Sequence, residues 1–304
     1  MRETELNIKK IKSIKELHSF MDLPSPLNPL LTIIDHSQTQ NNKQSTNQKL
    51  LLDFYNISIK RSFKGQLKYG KSHYDFDDGT MSFIAPNQII SIDNEEDRNA
   101  DGWSLLFHSD LIRQHPLGKA IKNDGYFSYE VTEALHLSSE EEKIIEAIIQ
   151  NIQKEIAARL DSFSQDVIVS NLELLLSYCN RFYSRQFITR KMATNDLLTN
   201  FENILAKYFT DDSDLTLPTV EKLATELNVS SSYLSDMLRS LTGQNTQQHI
   251  HEKIIEKAKE ILTTTTLTAS EIAYQLGFEY PQSFSKLFKS KTNLTPMEYR
   301  QSFN

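Results

Sequence analysis

Apolar and polar residues alternate over short runs in the first half of the chain, and turn formers such as DDG and NADG separate the runs. The runs are LLTIIDH (Leu30–His36), LLLDFYNISIK (Leu50–Lys60), QLKYG (Gln66–Gly70), TMSFIA (Thr80–Ala85), NQIISID (Asn87–Asp93), GWSLLFH (Gly102–His108) and YFSYEV (Tyr126–Val131). Seven β-branched or aromatic runs at short spacing predict an all-β barrel or sandwich. Between the first two runs, the stretch His36–Lys49 holds no apolar residue and predicts a mobile loop. Ahead of the strands, Ile8, Ile11, Ile14, Leu17 and Met21 follow helical spacing.

From Ser138 the period changes. Acidic residues fill a first turn, and Ile144, Ile145, Ile148, Ile149, Ile152 and Ile156 then form one broad face, predicting a helix over Ser139–Leu160. A second helix follows over Ser164–Phe187, with Ile168, Leu172, Leu175, Cys179 and Phe182 spaced as in the seam of a short coiled coil. Such faces either cover the open side of the β-rich region or meet a second copy in a homodimer.

The last third is helical and repeats itself. Ala224, Leu227 and Val229 recur as Ala273, Leu276 and Phe278, each 49 positions on, while Leu234, Leu238 and Gly243 recur as Phe284, Phe288 and Asn293, 50 positions on. One residue is therefore added within the turn of the second copy. Each copy reads as a short helix, a tight turn and a longer helix, the helix-turn-helix unit whose second helix enters the major groove of DNA. Small Ala224 and Ala273 let the two helices of a unit approach. The polar side of the second helix carries Ser231, Ser232, Ser235, Asp236 and Arg239 in one copy and Gln282, Ser283, Lys286 and Lys289 in the other, residue types that reach base edges or phosphates. Of these, Ser231, Arg239 and Lys289 suit phosphates.

Between the copies, NTQQHIHEKIIEKAKEILTTT (Asn245–Thr265) has a continuous apolar stripe of Ile250, Ile254, Ile255, Ala258, Ile261 and Leu262. A helix of roughly 19 residues spans about 28 Å, close to the ~34 Å of one DNA turn, so both second helices can enter successive segments of the groove. Thr268/Glu271 and Thr295/Glu298 have the spacing of capping boxes, the latter with Pro296 at the first helical position.

These residues carry a resemblance. Thr219–Arg300 resembles the DNA-binding domain of the AraC/XylS family of bacterial transcription regulators through Leu223-Ala224, Leu227, Val229-Ser230, Tyr233-Leu234-Ser235, Gly243, Ala258, Leu262, Glu271-Ile272-Ala273, Gly277-Phe278, Ser283-Phe284, Phe288-Lys289, Pro296 and Tyr299-Arg300. It departs at Ile254, where the family commonly has Arg, and at Asn293, where it has Gly. The resemblance implies base-reading positions at Ser232, Ser235 and Asp236 in the first unit and at Pro281, Gln282 and Lys286 in the second. It also implies a cupin-like N-terminal barrel that senses a small-molecule effector or modulates dimerisation, double-stranded DNA as partner, and RNA polymerase as a further partner of an activator. The expected fold is α+β and multidomain: a β-rich cupin-like barrel with flanking helices over 1–137, a helical pair and candidate dimerisation element over 138–190, and an all-α double helix-turn-helix domain over 196–304.

Composition changes this picture in a few places. The chain has 304 residues with 38% hydrophobic and 24% charged, a soluble globular balance. It has no run long enough to span a membrane. The opening residues lack a signal-peptide core, and with one cysteine this points to the cytoplasm. A net charge of −7 excludes DNA binding through bulk charge. Over Asp196–Asn304, 10 Lys and Arg face 14 Asp and Glu, whereas after Pro281 Lys286, Lys289, Lys291 and Arg300 face Glu298 alone, which assigns most phosphate affinity to the second unit.

Catalysis finds little support in the residues. His36, His73 and His108 are scattered, and His249-x-His251 diverge by about 200° on a helix, so no metal site forms. Cys179 sits among Leu175, Leu176 and Phe182 as a small core residue rather than a nucleophile. Tyr55, Tyr69, Tyr74, Phe83, Trp103 and Phe107 serve either as core or as the lining of a ligand pocket. No cofactor, catalytic residue or enzyme activity is expected.

Overall fold

A computed structural model of the chain describes residues 8–39, 48–61, 79–92, 101–129, 133–159, 161–189, 191–209 and 217–303. The predicted strand Gln66–Gly70 and the residues Tyr69, His73 and Tyr74 lie outside them, as does most of the predicted loop before Lys49. The chain divides into two compact units, Met1–Gln186 and Phe187–Asn304.

In the first unit, strands β1 (Ile8–Ile11), β2 (Leu31–Asp35), β3 (Gln48–Leu52), β4 (Phe54–Arg61), β5 (Thr80–Ile84), β6 (Ile89–Ile92), β7 (Asp101–His108) and β8 (Leu135–His136) form two sheets. One has five strands in the order β2-β7-β4-β5-β8, all antiparallel; the other has three, in the order β1-β3-β6. Among the described residues the expected barrel is not closed: no ladder joins the two sheets. The chain crosses between them at Asp53, which breaks the predicted single strand Leu50–Lys60 into β3 and β4 and donates its backbone N–H to Ile11 O at 3.1 Å. A core of Ile11, Leu50 and Leu52 from one sheet and Ile34, Phe54 and Leu106 from the other fills the space with Ile14 and Leu17 of α1 (Ile14–Phe20).

Two expectations fail here for physical reasons. The isoleucine spacing at the start of the chain is helical only from Ile14; Ile8–Ile11 is β1, paired in parallel with β3 from Ile8↔Lys49 to Ile11↔Leu52. The helix starts late because Ser13 caps it, its Oγ accepting from Glu16 N at 3.1 Å while Glu16 accepts from Lys12 N at 2.8 Å. Tyr126–Val131 does not form a strand where described; Gly125–Ser128 is a 3₁₀ turn after α2 (Ser109–Ile112), α3 (Leu117–Ala120) and a shorter turn at Ile121–Asn123. Successive side chains of a strand face opposite ways, yet Tyr126 and Phe127 are both buried in one ring cluster with Tyr55, Phe83 and Tyr183. The aromatic strand residues Tyr55, Phe83, Trp103 and Phe107 are core.

Helices α4 (Ser139–Ala157) and α5 (Ser164–Thr189) begin close to their predicted starts. A capping box between Ser138 and Glu141 opens α4. Ile145, Ile148, Ile149 and Ile152 are buried, and so are Ile168, Leu172, Leu175, Cys179 and Phe182. These five seam residues are thus used inside the chain's own fold. Burial also pushes the Cys179 thiol up. No described helix is long and apolar enough to cross a membrane.

The second unit is helical: α6 (Lys191–Lys207), α7 (Val220–Glu226), α8 (Ser231–Thr242), α9 (Thr246–Thr264), α10 (Ala269–Gln275), α11 (Pro281–Thr292) and α12 (Pro296–Gln301). The central α9 packs against α8, α10, α11 and α12. All six residues of its predicted stripe are buried, Ile254 among them.

Candidate nucleic-acid interface

The two repeats fold alike down to single hydrogen bonds. At the end of α7, Asn228 adopts a left-handed backbone with φ 55°, Val229 N bonds Ala224 O at 3.0 Å and Asn228 N bonds Thr225 O at 3.1 Å. At the end of α10, Gly277 has φ 84°, Phe278 N bonds Ala273 O at 2.9 Å and Gly277 N bonds Tyr274 O at 2.9 Å. This is the same Schellman termination twice, with residues that tolerate positive φ where it requires them. Four residues separate α7 from α8 and five separate α10 from α11, so the added residue lies in the turn, as the sequence predicts. Ala224 and Ala273 are buried at the helix contacts. The longer helices end on Gly243 (φ 79°) and Asn293 (φ 62°), so asparagine takes in the second copy the left-handed conformation that glycine takes in the first.

Packing fixes which side of each second helix is outward. In α8, Leu234, Met237 and Leu238 are buried, while Leu227 and Val229 of the turn are half-buried. In α11, Phe284 and Phe288 are fully buried, and their rings pack tilted or edge-on against each other, Phe278 and Tyr299 at 5.4–5.8 Å between centroids. Gln282, Ser283, Lys286 and Lys289 are exposed on the opposite side, and Pro281 is half-buried at the first position of the helix. Helices α9, α10 and α12 are held at their starts: capping boxes form at Asn245/Gln248, Thr268/Glu271 and Thr295/Glu298. The backbone N–H groups of Thr268 and Thr295, then their hydroxyls, hold the carboxyls of Glu271 and Glu298 below their ordinary range.

The two outward faces differ in what their side chains already bind. Ser231 and Ser232 are half-buried in the first turn of α8. Ser235 shares a hydrogen bond of 3.0 Å with Thr246 Oγ1, and Thr246 is completely buried at the start of α9. Asp236 pairs with Arg239 one turn on, at 2.8 Å. The first unit's acid and base therefore neutralise each other, while the second unit presents Gln282, Lys286 and Lys289 to solvent. Thr246 escapes sequence reasoning because a threonine at the first position of a helix gives no sign that it also anchors a neighbouring helix.

Arg300 does not add to this cationic face. Its Nε donates to Leu262 O at 3.0 Å and its Nη2 to Leu267 O at 2.6 Å, so it ties α12 to the end of α9. The local positive charge of α11 thus rests on Lys286, Lys289 and Lys291. His249 and His251 do not converge: one bonds Thr242 Oγ1 and the other Gln247, each at 2.8 Å, and burial lowers both pKa values. Among the described residues no group of three His, Cys, Asp or Glu is placed to hold a metal ion.

Residues 223–302 match a family of helix-turn-helix domains. Over 85 residues the chain is 34% identical to an uncharacterised HTH-type transcriptional regulator of Pseudoalteromonas carrageenovora, covering 28% of this chain and 50% of that one. Over 81 residues it is 32% identical to the xylose operon regulatory protein of Escherichia coli, covering 27% and 21%. The chain spans half the length or less of these relatives. Among solved structures, the C-terminal domain of the two-component response regulator yesN from Fusobacterium nucleatum is 38% identical, with 33% of this chain and 93% of that one covered and a TM-score of 0.30. The carboxy-terminal third of the chain is a double helix-turn-helix domain of the AraC type.

Proposed function

We propose that the whole chain is a sequence-specific DNA-binding transcription regulator of the AraC/XylS type, acting by binding rather than by catalysis. The observation that carries this is the mounting of two matched helix-turn-helix units on one 19-residue helix, a length of about 28 Å that suits successive major-groove segments. In this reading Gln282 and Lys286 read bases with Pro281 beside them, and Lys289 holds phosphate. Ser232, Ser235 and Asp236 face the other segment, with Asp236 accepting from a cytosine amino group, and Ser231 and Arg239 hold its backbone.

The N-terminal unit is the sensing part of the proposal. Its antiparallel β2-β7-β4-β5 sheet supports a cupin-like module for a small-molecule effector. With the α5 seam buried, a homodimer forms through the outer face of that helix, where Val167 and Leu174 are exposed. Such a regulator works in the cytoplasm, and as an activator it meets RNA polymerase.

Selection of duplexes from random DNA by the full chain tests the reading. The expected result is a motif with two elements about 10 base pairs apart, bound in a strongly salt-dependent way. Binding without sequence preference at low salt overturns it.

A further inference from the structure

Six described helices of the second unit have resolved starts, and five of them are capped by the side chain of the residue before them: Thr219, Ser230, Asn245, Thr268 and Thr295. The sixth, α11, follows Tyr280, whose side chain makes no capping bond. The repeat makes the comparison direct. Tyr280 stands fifty positions after Ser230, and Ser230 Oγ accepts from Tyr233 N at 3.1 Å to start α8. A serine, threonine or asparagine stabilises a helix start, and a phenol cannot reach back to do so.

In place of a cap, the second unit presents a ring that is 60% exposed, outside the Phe278–Phe284–Phe288–Tyr299 ring cluster. Its backbone is extended, φ −124° and ψ 117°, as the residue before a proline must be. Pro281 thus fixes the ring's starting point, and a tyrosine has only two side-chain torsions left to order. Two residues on, Gln282 opens the exposed face of α11.

Resting on the regulator reading above, we infer that Tyr280 is a specificity-determining residue whose ring packs on the 5-methyl group of a thymine beside the base read by Gln282. The first turn of a recognition helix is the part that meets base edges, and the thymine methyl is the one apolar group on those edges in the major groove. Glu279, exposed immediately before the ring, places negative charge where a phosphate would otherwise approach, which favours contact with the base over contact with the backbone.

The test uses the full chain and the duplex that selection recovers, with each thymine replaced in turn by deoxyuridine, which lacks only the methyl group. Wild type should lose about three- to tenfold in affinity at one thymine within the α11 element. Tyr280→Ser should bind the thymine and deoxyuridine duplexes equally, near the weaker wild-type value. It should also melt about 2–6 °C higher, because serine restores the cap. Tyr280→Phe should keep the methyl preference. The inference is overturned if Tyr280→Ser binds as tightly as wild type, or if it loses affinity equally for both duplexes while wild type shows no sensitive thymine, since the ring then touches only backbone. If no sequence is selected at all, the regulator reading itself fails, an outcome distinct from selection without a sensitive thymine.

Discussion

Arg300 donates from Nε to the carbonyl of Leu262 at 3.0 Å, and with its second bond to Leu267 O it closes the end of α9 onto α12. The last carbonyls of a helix have no partner within it, so a cation there satisfies both a hydrogen-bonding need and the helix dipole. Arg300→Ala should cost about 1.5–3 kcal/mol of stability, the range for bonds to charged groups. It should leave the salt dependence of DNA binding unchanged. A salt slope flatter by about one unit with an unchanged melting temperature would mean that Arg300 is a phosphate contact after all.

Readers and holders on α11 should separate in the same way. Gln282→Ala and Lys286→Ala are each expected to cost about 1–3 kcal/mol and to relax preference at one or two base pairs. Lys289→Ala should weaken binding to matched and scrambled duplexes alike and flatten the salt slope by about one unit. Titrations of both duplexes at two salt concentrations check this; uniform losses from Gln282→Ala would place the reading face elsewhere.

Neighbouring leucines of α5 should behave oppositely. Leu175 is fully buried, and an unpaired carboxylate there should destabilise the first unit by more than about 4 kcal/mol, enough to unfold it. Leu174 is 46% exposed, so Leu174→Glu should stay folded by circular dichroism and shift the chain from dimer to monomer in sedimentation. A Leu174→Glu chain that sediments as wild type removes the outer face of α5 from the dimer proposal.

Acid should loosen the second unit through its capping boxes. Glu271 and Glu298 have folded pKa values lowered from an ordinary 4.5, first by the backbone N–H of Thr268 and Thr295 and then by their hydroxyls. The folded state therefore holds fewer protons than the unfolded one. Their stabilisation is fully present above the ordinary value and disappears as pH falls through the lower folded values. Glu271→Gln keeps a hydrogen-bonding partner for Thr268 without the charge, and its melting temperature should fall less steeply below about pH 4.5 than that of wild type. Equal slopes would place the acid sensitivity in other carboxylates.

What the sequence discloses depends on how far apart the interacting residues lie. The helix-turn-helix units are legible because their signals are local: Ala224 and Ala273 recurring with the apolar positions around them, Thr268 and Thr295 three residues before Glu271 and Glu298, an apolar stripe on α9. The division of the strands into two sheets is not, because the pairing of Ile8–Ile11 with β3 lies some forty residues away and overrides a helical spacing. Tyr126 and Phe127 mislead for a related reason, since aromatic runs favour strands unless one cluster draws both rings inward. At the interface, residue type identifies candidates but not commitments. Ser235 and Gln282 are equally polar letters, and only the fold shows that one is tied to Thr246 and the other is exposed.

Because α9 supplies buried surface to helices of both repeats, a change at Ile254 or Ala258 is felt on either side of it at once, whereas a change at Ser232 or Lys286 touches one side only. The helix is a shared axle for two independent tools. Descendants of this chain are thus free to acquire new targets one groove segment at a time, provided the axle is left alone, and retargeting by design should follow the same order.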